Sequence, residues 1–340
     1  MTSQSWAQVS NALVYSTIIV LAVALVAFAL DLAVGSGRTR MQARRQVRSA
    51  GDAAQAQQRS HATASGEGGV TVVTSVAADD ELLPVNERWA RVGVSLTVLA
   101  ATLACLAVLT RGLSAQRPPW GNMYEFTVTG VAALLVIWVA MVLRRKEWRD
   151  LGLVVVLFAI LLLGVAVLVL YTESAELVPA LKSYWLWIHV SAAIISSGVF
   201  TVGSLASVLY LFADRTEKRA AAGTTGGALD AFGSRLPKSG SLDRVAYQTI
   251  AFAFPLWFFA VVAGAIWAED AWGRYWNWDP KETWSFVTLV IYAAYLHARS
   301  TAGWRGRPAA VIAILGLVAF LFSYFAVNIF FVGLHSYGGV

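Results

Sequence analysis

The chain has 340 residues, 58% of them hydrophobic and 14% charged, with a formal net charge of +6 and a mean hydropathy of +0.62. Soluble domains are about 45–50% apolar and about 25% charged, so this balance excludes an ordinary soluble enzyme and indicates a polytopic membrane protein. The positive charge requires no nucleic acid, because most basic residues lie in short loops between apolar segments.

A helix needs about 20 residues to cross about 30 Å of hydrocarbon. Eight runs are long enough: about 12–34, 89–109, 121–143, 151–171, 185–212, 247–268, 280–299 and 309–334. Their length and uniform apolarity favour helices over barrel strands and predict an all-α, polytopic membrane bundle of about eight transmembrane helices. The first run has no basic stretch before it, so residues 1–34 are expected to span the membrane rather than act as a cleaved signal. Residues 35–88 are rich in Ala, Gly, Ser, Thr and Gln and poor in aromatics, which reads as a flexible cytoplasmic linker. Residues 213–246 read the same way. Residues 89–340 form the main membrane domain. The single cysteine, Cys105, lies among Ala, Leu and Val and is expected to pack as a small hydrophobe. With no C-x-x-C present, any dithiol step belongs to a partner.

Basic residues orient the spans. One set of alternating loops holds most of them, whereas the opposite set holds only Arg111, Arg117, Lys182, Arg274 and Lys281. By the positive-inside rule the basic set is cytoplasmic. Both termini and residues 272–284 are then external.

That external segment concentrates Trp272, Tyr275, Trp276, Trp278 and Trp284 with the acids Asp279 and Glu282. An aromatic belt at the membrane boundary would account for one or two such residues. Four indoles in so short a stretch favour a platform for a large, flat, apolar ligand. Asp279-Pro280-Lys281-Glu282 also has the pattern of a helix capping box, so Asp279 is expected to be structural and Glu282 to serve either purpose.

Three of the four histidines sit in or beside spans, where a polar ring is costly unless partnered or useful. His189, near the start of the fifth span, and His335, past the eighth, share the face that carries the tryptophans. Two imidazoles at one level suit the two axial positions of a haem iron; a helix-packing role for His189 and a solvated tail for His335 are the structural alternatives. His297 lies about 25 Å along the seventh helix at 1.5 Å per residue, toward the cytoplasmic side. Val290, Ala293 and Ala294 leave space beside it for a porphyrin or a partner helix. Its second ligand would have to come from a partner subunit.

The run WGRYWNWDPKETW resembles the WWD signature of the haem-handling proteins of cytochrome c maturation. With PPWGNMYEF at 118–126, SYWLWIHV at 183–190, YLHAR at 295–299 and GLHSYG at 333–338, the chain is similar to the CcsA (ResC) family of the system II pathway over about residues 89–340. The resemblance implies a multi-pass protein of the bacterial cytoplasmic membrane that moves haem b to the outer face. It implies that the WWD segment, here Trp272, Trp276, Trp278, Asp279, Glu282 and Trp284, binds that haem, with His189 and His335 as axial ligands. It pairs His297 with a histidine of a ResB (CcsB)-type subunit. The complex would present haem to the C-x-x-C-H motif of apocytochrome c as a holocytochrome c synthase, served indirectly by a thiol-reducing thioredoxin-like protein. No catalytic acid or base is named by the sequence. A haem exporter or chaperone without synthase activity is the main alternative; a b-type redox subunit would need a mate for His297 within the chain, and a transporter for another aromatic substrate would carry no haem.

Overall fold

The computed structural model describes residues 2–63, 85–174, 181–224, 226–301 and 304–335. Among these every regular element is helical: α1 (Ser3–Thr63), α2 (Val85–Ala115), α3 (Met123–Arg144), α4 (Gly152–Leu168), α5 (Tyr184–Ala221), α6 (Ala228–Gly233), α7 (Ser239–Trp272), α8 (Pro280–Ser300), α9 (Arg307–Leu321) and α10 (Val327–Phe330). A 3-10 turn at Lys146–Leu151 precedes α4, and a π turn at Phe322–Ala326 joins α9 to α10.

Among the described residues, seven helices are long and apolar enough to cross a membrane. The eighth expected run, 280–299, is α8, a 21-residue helix that brings Lys281, Glu282, His297 and Arg299 with it. Those polar residues keep it from counting as a span by composition, although its length suffices. Polar contacts show that the helices alternate in direction. Ser114 Oγ donates to the Ser3 carbonyl at 2.9 Å, tying the end of α2 to the start of α1. Ser183 Oγ donates to Asp270 at 2.8 Å, tying the start of α5 to the end of α7. Tyr324 Oη donates to the Met123 carbonyl at 2.8 Å, joining the π turn to the start of α3. At the opposite end Arg299 pairs with Asp243, and Arg307 with Asp214 at 2.9 Å. The N-terminal end of α1, residues 272–284 and His335 therefore share one end of the bundle.

The central element is α5, enclosed on nearly all sides while the other spans bury single stripes. Small residues make this possible. Ala192, Ala193, Ser196, Ser197, Gly198 and Ser204 let neighbouring backbones approach closely. Most of its hydroxyls turn back on the helix, as when Ser196 Oγ donates to the Ala192 carbonyl at 2.7 Å, while Ser204 Oγ donates across to the Ala313 carbonyl of α9 at 3.0 Å, so that they are satisfied where water is absent.

Both expected linkers need revision. Helix α1 continues to Thr63, taking in the first part of 35–88; Ala and Gln are good helix formers. Residues 64–84 lie outside the described residues. In 213–246, α5 runs on to Ala221, α6 follows and α7 starts at Ser239. Asp230 holds that turn by pairing with Arg219 at 3.0 Å and accepting from the Gly226 N–H at 3.1 Å. Phe232 packs edge-on against Phe212 with ring centroids 5.6 Å apart. Low aromatic content hid these few specific ties.

A buried ion triad shapes one wall of the end that carries the tryptophans. Glu125, in the first turn of α3, pairs with Arg111 at 3.1 Å and Arg117 at 2.7 Å, and its side chain is 0% exposed. The same carboxylate accepts from the Gly121 N–H at 2.9 Å, fixing the loop between α2 and α3. Breaking a buried pair leaves an uncompensated charge and costs about 3–5 kcal/mol. Glu125→Gln is therefore expected to lower the thermal unfolding midpoint of the detergent-solubilised protein sharply; an unchanged midpoint would contradict this assignment.

Candidate functional site

Between α5, α7, the start of α8 and the π turn lies a cleft with about 1210 Å³ of empty space, counting its open mouth. His189 and His335 both line it, together with Trp267, Trp276, Lys281 and Glu282.

Helix α5 begins at Ser183, whose Oγ caps it by accepting from the Trp185 N–H at 3.2 Å. His189 follows in the second turn and faces α7. Its ring fits there because residue 264 is glycine: a Cβ at that position would lie 2.7 Å from the imidazole. Nδ1 is 2.7 Å from the Ala260 carbonyl, and the ring stacks on Trp267 at 6.1 Å with planes 8° apart. His335 arrives from the far end of the chain, after α10. Its Nδ1 is 2.9 Å from Asp279 Oδ1, and its ring meets Trp267 at 5.7 Å and Trp272 at 4.9 Å, both edge-on. Gly333 permits the approach, since a Cβ there would lie 2.5 Å from Asp279 Oδ2.

These contacts fix the chemistry of both rings. A carbonyl or a carboxylate can only accept, so Nδ1 carries a proton in each imidazole. Metal-ligating histidines commonly show this arrangement, with the other ring N–H donated to a carbonyl or carboxylate.

Asp279 is the N-cap of α8 in a complete capping box. Burial pushes its carboxyl upward, but the hydrogen bond and charge of His335, with the N–H groups of Leu334 and Lys281, outweigh that and hold it down at about 2. Glu282 closes the tryptophan loop. It accepts from the Asn277 N–H at 2.9 Å and the Asp279 N–H at 3.2 Å, and pairs with Arg274 at 3.1 Å. This network holds Trp278 at φ 58°, a left-handed conformation that costs a non-glycine residue about 1–2 kcal/mol. The guanidinium of Arg274 lies 5.6 Å from the Trp272 ring centroid.

The four indoles of the segment do not form one bed. Trp276 lines the cleft. Trp272 sits behind His335, while Trp278 packs against Trp276 at 5.7 Å and Phe286 at 6.0 Å on the exposed outer side. Trp284 turns onto Phe322 at 4.2 Å. The indole that touches both imidazoles is Trp267, which sequence reasoning passed over because a tryptophan inside an apolar helix reads as core. Trp120 and Trp257 also line the cleft. Lys281 was missed too: its Nζ donates to the Ser323 carbonyl of the π turn at 2.8 Å and lies 5.4 Å from the Tyr324 ring centroid. The acids flanking it are engaged elsewhere, Glu282 by Arg274 and Asp279 by His335. His297 is not part of this constellation. It is exposed near the C-terminal end of α8, at the other end of the bundle.

Among the described residues no group of three or more His, Cys, Asp or Glu could hold a metal ion. Two imidazoles lining an apolar cleft suit instead a metal whose remaining ligands arrive with it in a flat macrocycle.

Residues 120–335 match the family described as cytochrome c assembly protein. The cytochrome c biogenesis protein CcsA of Synechocystis sp. is 35% identical over 301 residues, covering 74% of this chain and 89% of that protein. Its counterpart in Guillardia theta is 35% identical over 259 residues, covering 73% and 85% respectively. The Microcystis aeruginosa protein is 37% identical over 291 residues, covering 72% and 88%.

Proposed function

Because the chain belongs to the CcsA branch of the cytochrome c assembly family, with its role in cytochrome c maturation, we propose that its cleft binds haem b by two axial histidines and presents it for covalent attachment. The single observation that carries this reading is the matched pair of imidazoles. His189 and His335 line one cleft, each with Nδ1 held by an acceptor, as in metal-ligating histidines.

The rest of the cleft fits the same ligand. Its indole and phenyl walls suit a porphyrin face. Lys281, whose Nζ donates to the Ser323 carbonyl and which lines the cleft, suits the anionic propionate edge. Haem cannot cross hydrocarbon unaided because its charged propionates are costly there. An exposed His297 at the opposite end, completed by a histidine of a ResB (CcsB)-type subunit, would receive haem from the cytoplasmic side. The cleft would then be the external platform of a system II synthase. Bis-imidazole ligation fills both axial positions and so limits oxygen chemistry at iron. The chain's own contribution to thioether formation is orientation: holding the porphyrin edge where apocytochrome c can align its C-x-x-C-H thiols, reduced beforehand by a thioredoxin-like protein.

The test is the haem content of the chain purified with its ResB-type partner, read as the pyridine haemochrome. Stoichiometric b-type haem, together with transfer of that haem to added reduced apocytochrome c, is expected. Haem that is bound but never attached would favour an exporter or chaperone, and absence of haem would overturn the reading.

A further inference from the structure

The two imidazoles are held by unlike acceptors. His189 Nδ1 meets a neutral backbone carbonyl, that of Ala260, at 2.7 Å. His335 Nδ1 meets a carboxylate oxygen, Asp279 Oδ1, at 2.9 Å. A helix cap accounts for Asp279 on sequence grounds, yet its carboxylate does more than cap. Oδ1 accepts from the Lys281 N–H at 3.0 Å as well as from His335, and Oδ2 accepts from the Leu334 N–H at 2.7 Å. One side chain thus fastens the first turn of α8 to a segment more than fifty positions later in the chain. The glycine at 333 leaves room for that carboxylate to come so close.

We propose that Asp279 is the positioning residue for His335: its carboxylate aims Nε2 into the cleft and makes that imidazole the stronger donor of the two. The proposal rests on the reading that both histidines are axial ligands. An anionic partner on the remote ring nitrogen fixes tautomer and orientation and raises ligand basicity. A neutral carbonyl, as at His189, supplies the orientation with a smaller electronic effect. The two sides of the bound haem are therefore chemically unequal, although both present histidine. The tryptophan segment and the end of the chain are also coupled, since movement of the α8 cap moves the ligand.

Two substitutions separate these roles in the complex purified with its partner. Serine is a good N-cap but its oxygen is one bond shorter, so Asp279→Ser keeps α8 capped and releases His335. Asparagine also caps and keeps one oxygen to accept from His335 and Lys281, so Asp279→Asn removes the charge, together with the Leu334 hydrogen bond, while still reaching His335. The Ser variant is expected to lose haem affinity about 10–100-fold, as when an outer-shell partner is removed. Its residual haem should turn high-spin and return to low-spin when imidazole is added. The Asn variant is expected to keep low-spin haem with its reduction midpoint shifted positive, because a less basic ligand stabilises ferric iron less. A purely structural cap would move neither the midpoint nor the imidazole response. An unchanged midpoint in Asp279→Asn overturns the proposal, and so does a loss in Asp279→Ser that imidazole does not reverse. If the Ser variant fails to fold, the midpoint of the Asn variant decides alone. His335→Ala is the control for the underlying reading. An unchanged low-spin spectrum there refutes axial ligation itself, whereas a changed spectrum beside a silent Asp279→Asn refutes this proposal only.

Discussion

Replacing His189 and His335 together with alanine is expected to empty the cleft of haem, with affinity falling by more than about 100-fold. Loss of a single outer-shell partner of a metal ligand costs about 10–100-fold, and here both ligands themselves would go. Surrounding structure should survive. His189 is held to α7 by one hydrogen bond and a stack on Trp267, next to a glycine that leaves open space when the ring is removed. His335 follows α10 near the end of the described residues, and the α8 cap keeps its Lys281 and Leu334 N–H bonds when the ring is removed. Haem content per complex and the Soret band read the outcome. Unchanged values would rule out axial ligation by this pair, and the indole-lined cleft would need another ligand.

His297→Ala is expected to reduce cytochrome c yield to near background and to deplete haem from the whole complex unless imidazole is supplied. The ring lies exposed on α8, at the opposite end of the bundle from the cleft. An ionisable side chain within an expected membrane span marks a functional position by default, with a partner to be named. In the proposed reading that partner is a histidine of a ResB-type subunit. A small imidazole can fill the vacated axial position where alanine stands, so chemical rescue separates loss of a ligand from loss of fold. Normal cytochrome c yield in this variant would show that haem reaches the cleft by another route.

Much of this architecture is legible in the sequence. Seven spans follow from length and hydropathy, because apolar side chains have nowhere else to go in a helix of that length. The eighth was found by its run but is masked in composition by the charges at its ends, which serve as cap and ion pairs. His189 and His335 were placed on one face by counting spans, and both now line one cleft.

What stayed hidden is non-local. Asp279 looked fully explained by its capping box, and nothing nearby in sequence announces the hydrogen bond to a histidine 56 positions later. Trp267 lies among apolar neighbours in α7, so nothing local in the sequence marks it as the indole that contacts both imidazoles. Lys281 looked like a first-turn helix residue; its partner carbonyl is in a π turn that no periodicity predicts. In contrast, Trp284 belongs to the conspicuous motif but sits within α8, where helical geometry turns it toward Phe322 instead of the cleft. Membership of the motif does not determine which indoles line the cleft.

Low-temperature electron paramagnetic resonance of the oxidised wild-type complex tests the central arrangement most directly. The arrangement predicts a low-spin ferric signal with two imidazole nitrogens, lost or converted to high-spin in His189→Ala and in His335→Ala taken singly. A low-spin signal that persists in either single variant would contradict it.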